Sequence, residues 1–502
     1  MRNKLSRSLI VSFVLLSAGC ELINQPDRSA NAKSVIEQQQ KPNIVVIFAD
    51  DLGYGDIESF GAEGIRTPNI DKIGEEGFVS RDFFIPANVC SPSRASLLTG
   101  RYPMRNGIPV AKNPMSHKHI DSHFGLHPDE ITIPEMLKPA GYKSLMVGKW
   151  HLGLKEKGSH PLDAGFDEYV GLEGNFYKAP KNSVKYPYLK ENDDLYRGRT
   201  ISEVDIDLEK VTEIYTNEVV SFIEREKDGP FFVYFAHNIV HSPHRPSKQF
   251  KGTSEKGRYG DFIHEMDYST GRVLKALKDH GLEDNTLVIF TSDNGANFAG
   301  SNGELNGRKY TTMEGGHIVP ALFKWPGVIP AGQDSSITMT SMDIFPILAE
   351  IAGAELPSDR KLDGVNTLNI LRGKSLNSPH DVLYYYNGTN LQAIRKGRWK
   401  LHLPRTIADQ PFWHENSSGG RVHTEVAQNM LFDLKTDRGE KVDVANLHPD
   451  IVASFDADIQ YAREELGDVH QIGRDQRVPP MENPQKIDRW WVKKKKKYFD
   501  NI

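Results

Sequence analysis

The 502-residue chain has only two cysteines, Cys20 and Cys90. At most one disulfide could form, so cohesion must come from a packed core rather than a covalent framework. It has no basic excess either, since the formal net charge is −5. Nothing global suits nucleic acid, and a polyanionic ligand would have to be met by a local cluster of cations. Internal repeats are absent, which excludes a solenoid. The apolar run Leu9–Ala18 is too short to span a bilayer comfortably. What is present is ordinary for a large soluble protein. Hydrophobic residues make up 38% and aromatics 9%, enough to core one large domain plus a smaller one.

Arg2, Lys4 and Arg7 precede that apolar run, so residues 1–19 read as a signal peptide. Leu16-Ser17-Ala18-Gly19-Cys20 resembles a bacterial lipobox, in which Cys20 becomes the lipidated first residue. Glu21, rather than Asp, favours an outer-membrane or surface destination. The expectation is an exported protein whose membrane contact is a lipid on Cys20, anchored to the bacterial cell envelope. Residues 20–41 are mostly polar and read as a flexible tether. With Cys20 lipidated, Cys90 has no disulfide partner. A lone thiol in an oxidising compartment is a liability unless it serves a purpose or is chemically altered.

Ile44–Ala49 and Phe231–Ala236 are continuous apolar runs of the kind found in strands buried on both faces. Tyr142–Val147 and Thr286–Phe290 read as further strands. Helical patterns cover Pro68–Ile73, Ile133–Leu137, Glu213–Glu226, Ile263–Leu277 and Asp343–Ile351. Residues 112–129, with His117, His119, His123 and His127, lack periodicity and read as an exposed loop beside a cleft; 173–205 read as a second long loop. After about residue 370, strands at Val382–Tyr386 and Leu391–Leu401 fold around Lys396-Gly397, Leu431–Leu434 adds another, and a helix runs from about Pro449 to Leu466. Trp490, Trp491 and the run Lys493–Lys497 read as a solvated tail. The expected organisation is a large α/β domain over 42–370, a small antiparallel-sheet α+β domain over 371–475 and a tail over 476–502. The large domain would carry a mixed, mostly parallel sheet flanked by helices.

Chemistry-bearing residues gather where these strands end. Asp50-Asp51 close the first strand before Gly53 and Gly55, and Asp293-Asn294 close another. All four are hard oxygen ligands suited to Ca²⁺ or Mg²⁺ rather than zinc, and a carboxylate-rich set favours Ca²⁺. Cys90-Ser91-Pro92-Ser93-Arg94 leads into the helical run Ala95–Leu98, with Gly100 as a stop. Ser91 or Ser93 could cap that helix. Cys90 would then sit at a helix N-terminus, which favours an anion, with Arg94 one turn on. Lys149 and His151 are two apart, and on an extended segment they would project to one side.

Cys90-X-Pro-Ser-Arg followed by Leu98-Thr99-Gly100-Arg101 resembles the signature of the type I sulfatases, of the alkaline phosphatase superfamily. Asn43–Gly53, Gly148–Gly153, His241-Ser242-Pro243 and Lys309–Gly316 are similar to further segments of that family, in the same order. The resemblance spans roughly 42–475 and implies an alkaline-phosphatase-like fold. It implies that a maturation enzyme converts Cys90 to formylglycine (3-oxoalanine), whose hydrate attacks sulfur. It implies one Ca²⁺ on Asp50, Asp51, Asp293 and Asn294, with the residue-90 oxygen also bound. Arg94 would stabilise the modified residue, and Lys149, His241 and Lys309 would bind sulfate oxygens. His241 or Lys309 would protonate the leaving alkoxide, and His151 would take the remaining gem-diol proton. His244 and Arg245 are candidate substrate contacts. One position departs from the pattern: Ile318 stands where the family commonly has Arg. The expected activity is hydrolysis of sulfate esters on a polysaccharide or oligosaccharide such as an algal galactan, ulvan or glycosaminoglycan. The alternatives are a phosphonate or phosphodiester hydrolase of the same superfamily, and an inactive lipid-anchored glycan-binding protein.

Overall fold

The computed structural model describes residues 41–111, 125–154, 158–172, 193–406, 425–469 and 471–477. Cys20, the polar stretch to residue 40, His117, His119, His123 and the Trp-Lys tail lie outside the described residues. Among the described residues, no helix is long and apolar enough to cross a membrane.

The strands in chain order are β1 (Asn43–Ala49), β2 (Phe78–Phe84), β3 (Lys143–Gly148), β4 (Glu168–Leu172), β5 (Leu195–Arg197), β6 (Thr200–Glu203), β7 (Phe231–Ala236), β8 (Thr286–Ser292), β9 (Ile318–Lys324), β10 (Gln333–Ser335) and β11 (Met339–Thr340). They form one sheet in the order β10-β2-β9-β8-β1-β7-β3-β4-β5-β6, with β11 added to β2. The centre, β8-β1-β7-β3-β4, is parallel. β9 pairs antiparallel with β8 and β2, so the sheet is mixed.

The apolar runs follow from this placement. Val45 and Ile47 of β1 enter one core, against the helices Val211–Glu226 and Gly257–Asp279. Ile44, Val46 and Phe48 enter the other, against the helices Cys90–Thr99 and Ile344–Ala352. A buried apolar side chain contributes about 1.5–3 kcal/mol, so an unpaired polar residue within these strands would be costly. Polar chemistry therefore begins where strands stop. The register sets Phe48 and Gly148 both beside Ala236, and Ala49 beside Ser292. The segments after β1, β3, β7 and β8 consequently emerge at one edge, the carboxyl end of the sheet.

A second sheet, antiparallel and four-stranded, comprises β12 (Val382–Asn387), β13 (Asn390–Lys396), β14 (Trp399–His402) and β15 (Met430–Asp433). Tyr385 and Leu391 belong to the same core as Ile318 of β9, so this sheet is packed on the first.

Several local expectations needed correction. The helix bearing Cys90 starts at Cys90 itself, and its N-cap is Val89 with no side-chain cap. Ser91 and Ser93 therefore lie inside the first turn, two and four residues past the capping position. Gly100 does end it, in the left-handed conformation at φ 66°. The stretch 173–205 contains β5 and β6 and is not all loop. The helix expected over 449–466 is two helices, Pro449–Ala453 and Asp456–Glu465.

Candidate active site

Nine of the residues singled out in the sequence converge at the carboxyl edge of the sheet. Asp50 and Asp51 follow β1, Lys149 follows β3, His241 lies in the turn after β7, and Asp293 and Asn294 follow β8. Cys90 opens its helix and Arg94 is one turn on. Lys309 arrives on the loop before β9.

Gly148 makes the approach of Lys149 possible. Its φ is 104°, and a Cβ there would lie 1.9 Å from the Ala236 carbonyl oxygen. The strand stops at Gly148, so the extended Lys149–His151 segment expected above does not form: His151 has a left-handed backbone, φ 59°, and is half-buried. The buried indole of Trp150 anchors the segment by donating from Nε1 to the Ser159 carbonyl at 2.8 Å.

Charge is concentrated and paired. Lys149 Nζ lies 2.8 and 2.7 Å from the two Asp50 oxygens. Lys309 Nζ lies 2.6 Å from Asp51 Oδ1 and 3.4 Å from Cys90 Sγ. Arg94 donates to Asp293 Oδ2 from Nε at 3.0 Å and Nη2 at 2.7 Å, and from Nη1 to the Lys149 carbonyl at 2.8 Å. Three carboxylates thus face three cations out of contact with solvent. Asp51 adopts φ 64°, a conformation that Asp tolerates better than most residues, and its own N–H donates to Asp293 Oδ1 at 3.0 Å.

Burial is the largest influence on Asp50 and pushes it up to about 7, against Lys149. Burial also acts to raise Asp51, but Lys309 and then His241 hold that carboxyl well below its usual range. The Cys90 thiol is pushed up well above the usual thiol range, by burial first and then by Asp293. The helix N-terminus therefore does not make Cys90 a thiolate here: desolvation and carboxylates prevail. An unmodified Cys90 is held as a neutral thiol, a poor nucleophile.

One donor set suits a hard cation. Single ligand atoms of Asp50, Asp51, Cys90 and Asp293 all lie within 4.8 Å of one another. Asn294 donates from Nδ2 to Asp51 Oδ1 at 2.8 Å and to the Gly295 carbonyl at 2.9 Å. Its Oδ1 is buried with no hydrogen-bond partner. Such an orphaned acceptor costs about 1–3 kcal/mol, and a cation beside the carboxylates would satisfy it. The residues present therefore fit Ca²⁺.

His241 Nε2 stands 3.7 Å from Asp51 Oδ2. Its Nδ1 is 2.7 Å from the Ser242 carbonyl, a contact that requires the proton on Nδ1. Neutral His241 thus presents an unprotonated Nε2 to the site, and burial lowers its pKa to about 3. His244 is half-buried with its ring against Tyr259, 5.2 Å between centroids, whereas Arg245 is exposed. Two participants escaped the sequence reading. Asn297 reaches Asp51 Oδ2 with Nδ2 at 3.5 Å, and its signal was a third amide or carboxylate in Asp293–Asn297. Tyr310, at φ 75°, turns the chain directly after Lys309, and nothing in its residue type announces that.

Comparison with known proteins bears on this constellation. Residues 42–354 match the family described as Sulfatase, and 378–486 match the C-terminal region of aryl-sulfatase. The N-acetylgalactosamine-6-sulfatase of Rattus norvegicus is 39% identical over 430 residues, covering 80% of this chain and 81% of that protein. The crystal structure of Ps i-CgsB in complex with k-i-k-neocarrahexaose has a TM-score of 0.74 at 27% identity, covering 90% of this chain and 97% of that one. A structure from work on the metabolism of multiple glycosaminoglycans by Bacteroides thetaiotaomicron has a TM-score of 0.70 at 29% identity, covering 84% and 99%.

Proposed function

The chain belongs to the sulfatase family, and on that premise we propose that this sulfuric-ester hydrolase acts on a sulfated carbohydrate, with Cys90 matured to formylglycine beside one Ca²⁺. The single observation that supports the assignment most is the orphaned Asn294 Oδ1, set among three carboxylates around a thiol that burial keeps neutral. The carbohydrate class follows the named relatives: one acts on N-acetylgalactosamine-6-sulfate, one is bound to a neocarrahexaose, and one comes from glycosaminoglycan metabolism.

Asp50, Asp51, Asp293 and Asn294 would hold the cation. When bound, it supplies positive charge for a sulfate oxygen and for the hydrated aldehyde of residue 90. Arg94 fixes Asp293 and the Lys149 carbonyl, so the anionic floor of the site cannot spread. Lys149 and Lys309, balanced by carboxylates here, become available to a substrate anion once a cation shares that task. Lys309 carries the proton for the leaving alkoxide: it is an ammonium, whereas neutral His241 keeps its proton on Nδ1, turned away from Asp51. His241 accepts a proton at Nε2 when sulfate charge stands beside it, and then binds a sulfate oxygen. His151 takes up a proton in the second half of the reaction.

The chain is also proposed to be exported and lipidated on Cys20. Palmitate labelling that survives Cys20→Ala would refute that. For the activity, purified enzyme is assayed on sulfated galactans, ulvan and glycosaminoglycan oligosaccharides, with product NMR, beside phosphonate and phosphodiester esters. Desulfation of a glycan supports the proposal, and turnover confined to phosphorus esters overturns it. Peptide mass spectrometry of active enzyme should show residue 90 without its thiol sulfur. Full activity from intact Cys90 refutes the maturation.

A further inference from the structure

Lys309 reaches the site on a loop that closes on itself, Thr311 N–H donating to the Arg308 carbonyl at 2.9 Å and Gly315 N–H to the Asn306 carbonyl at 2.7 Å, and that loop is also gripped from outside. Its inner anchors come from the segments that follow β8 and β2: the Lys309 N–H donates to the Ala296 carbonyl at 3.0 Å, and the Tyr310 N–H to the Asn88 carbonyl at 3.0 Å. Its outer anchors all come from the antiparallel sheet β12–β15 and the residues that follow it. Asn387 at the end of β12 donates from Nδ2 to the Tyr310 carbonyl at 3.3 Å. Gln392 of β13 accepts from the Thr312 hydroxyl at 3.0 Å. At Glu314 the grip becomes ionic: its carboxylate takes Lys400 Nζ at 2.9 Å and the Tyr385 hydroxyl at 2.7 Å, and its N–H donates to Glu440 Oε2 at 2.6 Å. Lys400 bridges to Glu440 at 2.9 Å as well.

Two features separate this arrangement from ordinary packing between sheets. Lys400 is wholly buried, and Glu314 and Glu440 are only 3% and 4% exposed. Such a network costs desolvation that an apolar contact would avoid, so it is poor value as mere adhesion. Its effect is geometric: ion pairs with several fixed partners hold a backbone position more closely than apolar contact does. The loop it holds is also strained. Tyr310 sits at φ 75°, which a bulky residue adopts only when its surroundings impose it. Hydrogen bonds clamp both sides of that residue, which directly follows Lys309, whose Nζ is 2.6 Å from Asp51. Gly315 and Gly316 complete the fit, because a Cβ would lie 2.6 Å from the Asn306 carbonyl oxygen and 2.1 Å from that of Thr311.

We propose that the C-terminal sheet is a positioning element for the reaction: Asn387, Gln392 and the Glu314–Lys400–Glu440 network hold Lys309 in register with Asp51 and residue 90. This rests on the proton-donating role given to Lys309 above. Lys400 and Asn387 touch neither Asp51 nor residue 90; they act through the loop.

The test is a double-mutant cycle. Lys400→Met and Asn387→Ala are each made in the native enzyme and in Lys309→Ala, and kcat and KM are measured on one sugar sulfate. Lys400→Met should lower kcat about tenfold or more, since a displacement of about 1 Å is costly in a preorganised site. In Lys309→Ala it should lower kcat less than about twofold, because the residue it positions is gone. Equal losses in both backgrounds overturn the proposal. Asn387→Ala removes one hydrogen bond and carries the same cycle if Lys400→Met fails to fold. A crystal structure of whichever variant folds supplies a readout independent of turnover: Lys309 Nζ should have left Asp51, and an unmoved Lys309 refutes the clamp. Should Lys309→Ala retain full turnover, the chemical role of Lys309 fails, and the clamp is still judged by that crystal structure.

Discussion

Arg94 gives two of its protons to a single oxygen, Asp293 Oδ2, at 3.0 and 2.7 Å, where neither side chain has any exposure. The other Asp293 oxygen receives the Asp51 N–H, so the carboxylate is held from two directions while Oδ1 keeps a lone pair for a cation. Removing a partner from such a pair strands a buried charge, which costs about 3–5 kcal/mol. Arg94→Met should therefore lose stability of that order in urea unfolding with chelator present. Arg94→Lys should recover less than half, because an ammonium cannot serve Asp293 and the Lys149 carbonyl with one fork. A loss below about 1 kcal/mol for Arg94→Met would place the pair among ordinary exposed ones and refute this reading.

Asn294 allows the cation to be tested without turnover. Ca²⁺ at a hundred times its dissociation constant should stabilise the fold by about 2.7 kcal/mol, read as a rise in melting temperature. Asn294→Leu keeps the branched shape but removes Oδ1, together with the Nδ2 that donates to Asp51, and most of that Ca²⁺-dependent rise should vanish. An Asn294→Leu protein with the native response would remove this residue from the site.

What was legible in the sequence and what was not divide along physical lines. Strands β1, β7 and β8 were readable because both their faces are buried, so an unbroken apolar run was the only workable composition. The residues at their ends were readable because Asp50, Asp51, Asp293 and Asn294 break those runs abruptly. The cap at Ser91 or Ser93 was misread because the helix begins a turn before its apolar stretch. His151 was misplaced because a left-handed φ of 59° leaves no mark in residue type. The grip on Lys309 was invisible for a different reason. Asn387 lies 77 residues from Tyr310, and Lys400 lies 86 from Glu314, so only the fold brings them together.

Glu265 predicts a pH dependence away from the active site. It is 3% exposed, and burial raises its pKa from 4.5 to about 7, against hydrogen bonds that include the Ser247 N–H. The folded state thus holds this proton more tightly than the unfolded chain. Its contribution is fully present below pH 4.5, falls as the unfolded chain ionises first, and is lost by about pH 7. The difference amounts to at most about 3 kcal/mol. Glu265→Gln keeps an acceptor for Ser247 and cannot ionise. It should match the native protein near pH 4.5 and exceed it in urea unfolding at pH 8. Equal stability at pH 8 would show that Glu265 ionises normally in the fold.

Lys309 and His241 are the two proton sources that the sequence left open, and their geometry separates them. His241 Nδ1 meets the Ser242 carbonyl at 2.7 Å, so its proton faces the backbone and not the reaction. Lys309 is an ammonium 2.6 Å from Asp51 and 3.4 Å from Cys90 Sγ, with a pKa raised well above the usual lysine range by Asp51 despite its burial. A sugar alkoxide is a poor leaving group and needs a proton as its bond to sulfur breaks; an aryl oxide needs it far less. The loss of kcat in Lys309→Ala should therefore grow with leaving-group basicity, by about 10²-fold or more between a nitrophenyl sulfate and a sugar sulfate. In His241→Ala the two esters should fall by similar factors, because what is lost there is a contact to sulfate common to both. Series of aryl sulfates of graded acidity, with the sugar ester at the basic end, measure this directly as the slope of log kcat against leaving-group pKa. A steeper slope for Lys309→Ala with an unchanged slope for His241→Ala assigns the proton to Lys309. The reverse pair of slopes would return it to His241, donating from Nε2 as an imidazolium while Nδ1 keeps its contact with the Ser242 carbonyl.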